Sequence, residues 1–182
     1  MPNKLTILRI IAVPALVAAH YFYNSTLPAV VLFILASVTD WLDGYAARAT
    51  NQVTALGAFL DPVADKLLVV TVLGLLMSTK ASIYLTIAGI IIIAREVFIS
   101  SLREWMAIVS SNSRIEVSIV AKFKTALQMF ALTLLLYASK HNTIIWDIGL
   151  AVLILSVTFS IYSAQSYVKT AWPALTFGSK QQ

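Results

Sequence analysis

A chain of 182 residues carries 59% hydrophobic and only 12% charged residues, with a formal net charge of +5. Soluble domains are typically about 25% charged, so water is excluded as the solvent for most of this chain, and the absence of cysteine excludes disulfides and thiolate metal sites. The basic residues are scattered among apolar runs, a pattern that fits anionic lipid headgroups and phosphorylated small molecules rather than nucleic acid.

The N-terminal stretch MPNKLTILRI has no A-x-A-like cleavage site after a short apolar region. It reads as a retained first span, over about 4–23, rather than a signal peptide. NSTLP breaks the pattern near 24, and a second helix follows over about 27–49. After ATNQVT, Thr54 is placed to cap a third helix over about 55–78, its hydroxyl accepting from an unpaired backbone N–H. A fourth helix runs over about 82–109, a fifth over 118–139 and a sixth over 143–169, separated by SSNSRIEVS and KHNT. A span needs about 20 apolar residues, and several of these runs reach that length only by including polar residues at one end. The expectation is an all-α integral membrane protein with six transmembrane helices, forming a single domain over 1–182.

Charge then sets the orientation. With six spans both termini share a side, and on that side fall Lys4, Arg9, Arg48, Lys66, Arg95, Arg103, Arg114, Lys122, Lys124, Lys169 and Lys180. Lys80 and Lys140 fall on the other. The positive-inside rule places both termini in the cytoplasm of a multi-pass cell (inner) membrane protein. The acids follow the same side, Asp147 excepted, so a polar cavity is expected to open toward the cytoplasm within reach of the headgroups.

Asp40, Asp43, Gly44, Ala47 and Arg48 recur at helical spacing and share a face, as do Gly57, Asp61 and Asp65. The connection between the two helices is short, so they are expected to be antiparallel neighbours on which four carboxylates converge. An aspartate at a helix centre costs about 2.5–3.5 kcal/mol to insert into a membrane, and mutual repulsion adds to that. Lys66 and Arg48 are the nearby cations that offset it. Three readings follow from spacing alone: structural salt bridges, a cation or proton path, or an all-oxygen site for a hard divalent cation, Mg²⁺ or Mn²⁺. Gly44, Ala47 and Gly57 fit close helix packing as well as room for a ligand.

The run D-x₂-D-G-x₂-A-R-x₈-G-x₃-D-x₃-D, filled here from Asp40 to Asp65, resembles the signature of the CDP-alcohol phosphotransferases, integral membrane enzymes of phospholipid synthesis. Further blocks, PNKLTILRI, DWLDGYAAR, GAFLDPVADK, IAREVFISSLREW and KFKTALQM, are similar to the bacterial branch whose acceptor is glycerol 3-phosphate. The resemblance implies a reaction in which CDP-diacylglycerol and glycerol 3-phosphate give phosphatidylglycerophosphate and CMP, with two divalent metal ions and a homodimer. It implies that Asp40, Asp43 and Asp61 hold metal and that Asp65 is a further ligand or the general base, with Asp61 second choice as base. By the same resemblance Gly44, Ala47, Arg48 and Gly57 line the CDP site, Arg48 on its phosphates, with Asn3 and Thr6 near the nucleotide.

The acceptor is read from other residues. Arg95 and Arg103 stand eight apart on the fourth helix, and Lys122 and Lys124 begin the fifth. Arginine's planar fork suits a dianionic phosphate and lysine supplies a point charge. Arg103 and Lys122 are the first choice as acceptor phosphate ligands, Arg95 and Lys124 the alternates; topology signals, or partners for Glu96 and Glu104, are the plainer roles for all four. Siblings using phosphatidylglycerol, inositol or serine as acceptor stay open, as more remotely does an ion-coupled transporter. The four tryptophans suit an aromatic belt, and His20 and His141 are assigned no ligand role.

Overall fold

The computed structural model describes residues 2–50, 55–109, 119–140 and 143–177, with side chains described for 6–39, 60, 62–106, 123–140 and 143–172 apart from 166 and 170. Among the described residues the protein is all-helical: α1 Pro2–Phe22, α2 Leu27–Thr50, α3 Ala55–Thr79, α4 Ile83–Val109, α5 Ile119–Ala138 and α6 Thr143–Phe177. The bounds fall within two residues of those expected, except at the C-terminal end of α6. There the helix continues well past Lys169, because a lysine at a membrane edge does not stop a helix. Thr54, expected to cap α3, lies outside the described residues.

By length and composition, Pro62–Thr79, Ile83–Met106 and Thr143–Lys169 are long and apolar enough to cross a membrane. Shorter apolar stretches occupy Thr6–Phe22, Leu27–Thr39 and Phe123–Ala138. Their outward surface is as apolar as their interior: Leu8, Ile11, Val31, Leu35, Ile90, Phe130 and Ile144 are all exposed. A helix apolar all round is one surrounded by protein and lipid, so the chain is a helical membrane protein.

The helices group into two compact units. The first is Met1–Ser82 with Met129–Leu150, and the second is Ile83–Gln128 with Ala151–Gln182.

In the first unit α1 packs against both α2 and α3. Contacts at both ends of α1 fix the directions. Arg9 meets Asp65 near the start of each helix, while His20 meets Thr79 and Tyr21 meets Ser78 near their ends, so α1 and α3 run parallel. One cleft brings Arg9 together with Ala36 and Thr39, another brings Phe22 and Tyr23 together with Leu27 and Pro28, so α2 runs antiparallel to both. Leu16, Ala29, Phe33, Ala64, Leu68, Leu73 and Leu76 fill the space between, at 2% exposure or less. Small residues let α6 approach α5 as well: a Cβ on Gly149 would sit 3.0 Å from Leu135 Cγ.

The end of this unit that carries the helix-end hydroxyls is closed by hydrogen bonds whose direction can be assigned. The Ser78 and Thr79 hydroxyls both donate to the Leu75 carbonyl, at 2.9 and 2.6 Å. Each has then used its single proton. Tyr21 Oη therefore donates to Ser78 Oγ at 3.0 Å, and His20 Nε2–H donates to Thr79 Oγ1 at 3.1 Å. Lys140 Nζ donates to the carbonyls of His20 and Tyr23 at 2.9 and 2.6 Å, satisfying orphan acceptors at the C-terminus of α1 with a positive charge. Lys80 Nζ stands 4.3 Å from the centroid of the Trp146 ring. His20 is thus a buried, hydrogen-bonded residue, and Trp146 is packed inside, 6% exposed, rather than facing lipid as a belt residue.

Candidate functional site

Two acidic positions, 40 and 43, lie on α2 and two, 61 and 65, on α3. The side chains of Asp40, Asp43, Gly44, Ala47, Arg48, Gly57 and Asp61 lie outside the described residues, as does that of Asn3. What is described is the floor beside them. Thr6 and Arg9, one turn apart on α1, are both turned inward, at 1% and 2% exposure. Arg9 Nη1 donates to Asp65 Oδ1 at 2.8 Å, with the arginine side chain 1% exposed and the aspartate side chain 43% exposed. Arg9 also lines a cleft of about 260 Å³ with Thr39, the residue before Asp40. Arg9 is therefore flanked by α2 at the level of Thr39 and by α3 at the level of Asp65. The two acid-bearing segments lie at the same end of this unit, opposite the Ser78–Thr79 end.

Lys66 and Arg48 are the cations that the spacing offers to offset the acids, and Arg9 counts there only among the positive residues of the cytoplasmic side. The structure gives Asp65 a cation from α1 as well. A snorkelling arginine sends its head to the interface, whereas this head is buried against α3. The available signal was Thr6 and Arg9 one turn apart on an otherwise apolar helix, which marks one inward polar face. Among the described residues no three His, Asp or Glu side chains gather as a metal site; three of the four motif aspartates are not among them.

The second unit carries the other candidates. Glu96 Oε1 accepts from Arg95 Nη2 at 2.7 Å and from Lys124 Nζ at 3.3 Å. Lys124 is buried and Arg95 half-buried, with side chains 6% and 12% exposed, and Glu96 is 30% exposed. Neighbouring residues on a helix do not normally face each other; here the long arginine side chain folds back along α4 to share one carboxylate oxygen with α5. Arg95 also lies within electrostatic reach of Tyr167 and Arg103, and Tyr167 is itself buried. Of the four proposed phosphate ligands, Arg95 and Lys124 converge, Arg103 is exposed, and the Lys122 side chain lies outside the described residues. The cluster combines two cations with one anion, a surplus of one positive charge held in a largely water-excluded place. Such an arrangement can take up an anion, and it is a structural ion pair in its absence.

Comparison with known proteins bears on both units. A family model for CDP-alcohol phosphatidyltransferases matches residues 1–162. A CDP-diacylglycerol–glycerol-3-phosphate 3-phosphatidyltransferase from Wigglesworthia glossinidia brevipalpis is 44% identical over 174 residues, covering 94% of each chain. The protein of the same name from Haemophilus influenzae is 42% identical over 173 residues, covering 94% of this chain and 92% of that one. Its counterpart from Pseudomonas fluorescens is 40% identical over 185 residues, covering 100% of this chain and 95% of its own. With the family pattern spanning both units and relatives of this identity along nearly the whole length, the chain belongs to the CDP-alcohol phosphatidyltransferase family.

Proposed function

We propose that the protein transfers a phosphatidyl group from CDP-diacylglycerol to glycerol 3-phosphate, giving phosphatidylglycerophosphate and CMP. The observation that carries this reading is the combination of the complete Asp40–Asp65 motif with relatives at 40–44% identity that are named for this reaction. The paired cations of the Arg95–Glu96–Lys124 cluster support a phosphorylated acceptor.

The reaction is a single displacement at phosphorus. A hydroxyl oxygen of glycerol 3-phosphate bonds to the phosphorus that bears diacylglycerol, the bond from that phosphorus to the bridging pyrophosphate oxygen breaks, and CMP leaves with the electron pair. The hydroxyl proton passes to the Asp65 carboxylate, whose side chain stays 43% exposed while its orientation is held by Arg9. The donor set fits a divalent cation: Asp40, Asp43, Asp61 and Asp65 are all oxygen ligands, in a chain with no cysteine. These four would hold Mg²⁺ or Mn²⁺, as two ions. When bound, the metal supplies neutralisation of the pyrophosphate charge. Gly44, Ala47, Arg48 and Gly57, with Asn3 and Thr6, form the CDP site, and the inward orientation of Thr6 supports its share in it. Arg95 and Lys124 hold the acceptor phosphate, with Arg103 and Lys122 completing the basic surround.

The same reading makes 1–182 one membrane domain of six spans, with both termini and the acidic cavity on the cytoplasmic side of the inner membrane, working as a homodimer. Lys80 and Lys140, the two cations assigned to the outer side, have partners that account for them: the Trp146 ring and the carbonyls ending α1. They need not be counted as topology signals, which supports the orientation.

The test is CMP release by purified protein in detergent, given CDP-diacylglycerol, Mg²⁺ and one acceptor at a time. Release with glycerol 3-phosphate is expected. No release with any acceptor refutes the enzyme reading, and release only with an unphosphorylated acceptor refutes the assignment of the acceptor.

A further inference from the structure

The Arg9–Asp65 pair is asymmetric. Its cation is buried, with 1% of the side chain exposed, and its anion is open, with 43% exposed. A pair that only joins two helices has no need of an open carboxylate, and a topology signal has no need of a buried guanidinium. Burying a charge on a membrane helix is costly enough that such residues have a task by default. The arginine fork is planar and rigid, so a bond from it fixes the orientation of a carboxylate as well as attracting it. Arg9 itself is packed between α1, α2 and α3 beside Ala12, Ala36 and Thr39.

We infer that Arg9 is a positioning residue for Asp65: it sets the orientation in which the exposed carboxylate meets the acceptor hydroxyl, and acts on the reaction through that carboxylate. The inference rests on the reading of Asp65 as a group of the reaction centre, and the experiment separates the two. Two other roles make different demands. An anchor in the fold affects stability without altering turnover per folded molecule, and a contact to the nucleotide affects KM for CDP-diacylglycerol.

The experiment compares the parent protein with Arg9→Gln, Arg9→Lys, Asp65→Asn and the double variant Arg9→Gln/Asp65→Asn. CMP release gives kcat and both KM values, and heating followed by tryptophan fluorescence gives the folded fraction. Misplacing a catalytic group by about 1 Å costs on the order of 100-fold. Arg9→Gln is expected to lose about that much in kcat, with both KM values within about threefold of the parent. Arg9→Lys, which keeps the charge and loses the fork, is expected between the two. The double variant is expected to be no slower than Asp65→Asn alone, because the carboxylate that Arg9 orients is already gone.

Losses that multiply in the double variant, or a raised KM for CDP-diacylglycerol at intact kcat, overturn the inference. So does a kcat loss that vanishes once rates are divided by the folded fraction. If Arg9→Gln fails to fold, Arg9→Lys alone and in the Asp65→Asn background carries the same comparison. If Asp65→Asn leaves no measurable turnover, the division between kcat and KM in the Arg9 variants decides. Full activity of Asp65→Asn refutes the role of Asp65; an inactive Asp65→Asn beside a fully active Arg9→Gln refutes only the role of Arg9.

Discussion

Glu96→Gln probes the cation cluster of the second unit with little change of shape. In the parent, one carboxylate oxygen serves Arg95 at 2.7 Å and Lys124 at 3.3 Å. At an effective dielectric of about 20 these attractions are worth roughly 6 and 5 kcal/mol before any desolvation cost is subtracted. Removing one partner of a buried pair typically costs about 3–5 kcal/mol net. Glu96 is 30% exposed, so solvent screens part of the interaction, and glutamine keeps a neutral acceptor; the expected loss is about 2–3 kcal/mol. For a chain of 182 residues, at roughly 2–4 °C per kcal/mol, that lowers Tm by about 5–10 °C. The chain has no cysteine for a thiol-reactive dye, but its four tryptophans report unfolding directly. Millimolar glycerol 3-phosphate is expected to restore part of the lost Tm, its dianion taking the place of the carboxylate. A Tm within about 1 °C of the parent refutes the account of Glu96 as the counter-ion of both cations. A lowered Tm without recovery leaves the ion pair standing and removes the acceptor phosphate from it.

Lys140→Met keeps the length of the side chain and removes the charge that ends α1, where two carbonyls accept from it. Hydrogen bonds to a charged group contribute about 1.5–3 kcal/mol each when buried; at this partly exposed site a loss of about 1–2 kcal/mol is expected, read as a lower Tm with kcat unchanged on the folded fraction. Gly149→Leu places a branched side chain where even a Cβ lies 3.0 Å from Leu135 Cγ. Overpacking of this kind costs about 1–3 kcal/mol, and the paired change Leu135→Ala is expected to recover part of it in the same melting assay.

The positions of the helices were legible because local chemistry decides them. Apolar runs interrupted by NSTLP and STKAS leave few choices for where α1 ends or α4 begins. The motif aspartates were legible for a similar reason, since the spacing of Asp40 to Asp65 is carried by sequence alone. Partners across the fold were not. Asp65 and Arg9 are 56 residues apart, and no periodicity states which face of α1 meets which face of α3. The cations considered for the acids were those on the same helices, Arg48 and Lys66, because helical spacing relates residues only along one helix. Glu96 was among the partners read for the four basic residues, but which of them it holds, Arg95 along α4 and Lys124 from α5, was not legible, nor was the burial of Trp146, which depends on what packs over it.

The parallel pair α1 and α3 is clasped by polar contacts toward each end and is largely apolar between them. Eleven residues of α1 separate Arg9 from His20, whereas fourteen residues of α3 separate their partners Asp65 and Thr79. At about 1.5 Å per residue the stretch on α3 is longer by roughly 4–5 Å, a gap within the reach of an arginine side chain extended toward the start of its helix. Arg9 thus takes up a mismatch in length between two rigid rods. Any insertion or deletion between the clasps would turn one rod by about 100° per residue against the other, so that the contacts at the two ends could no longer be made together. The spacing between the proposed reaction centre and the far end of the bundle is in this sense gauged in whole residues, and evolution can alter the apolar side chains between the clasps far more freely than their number.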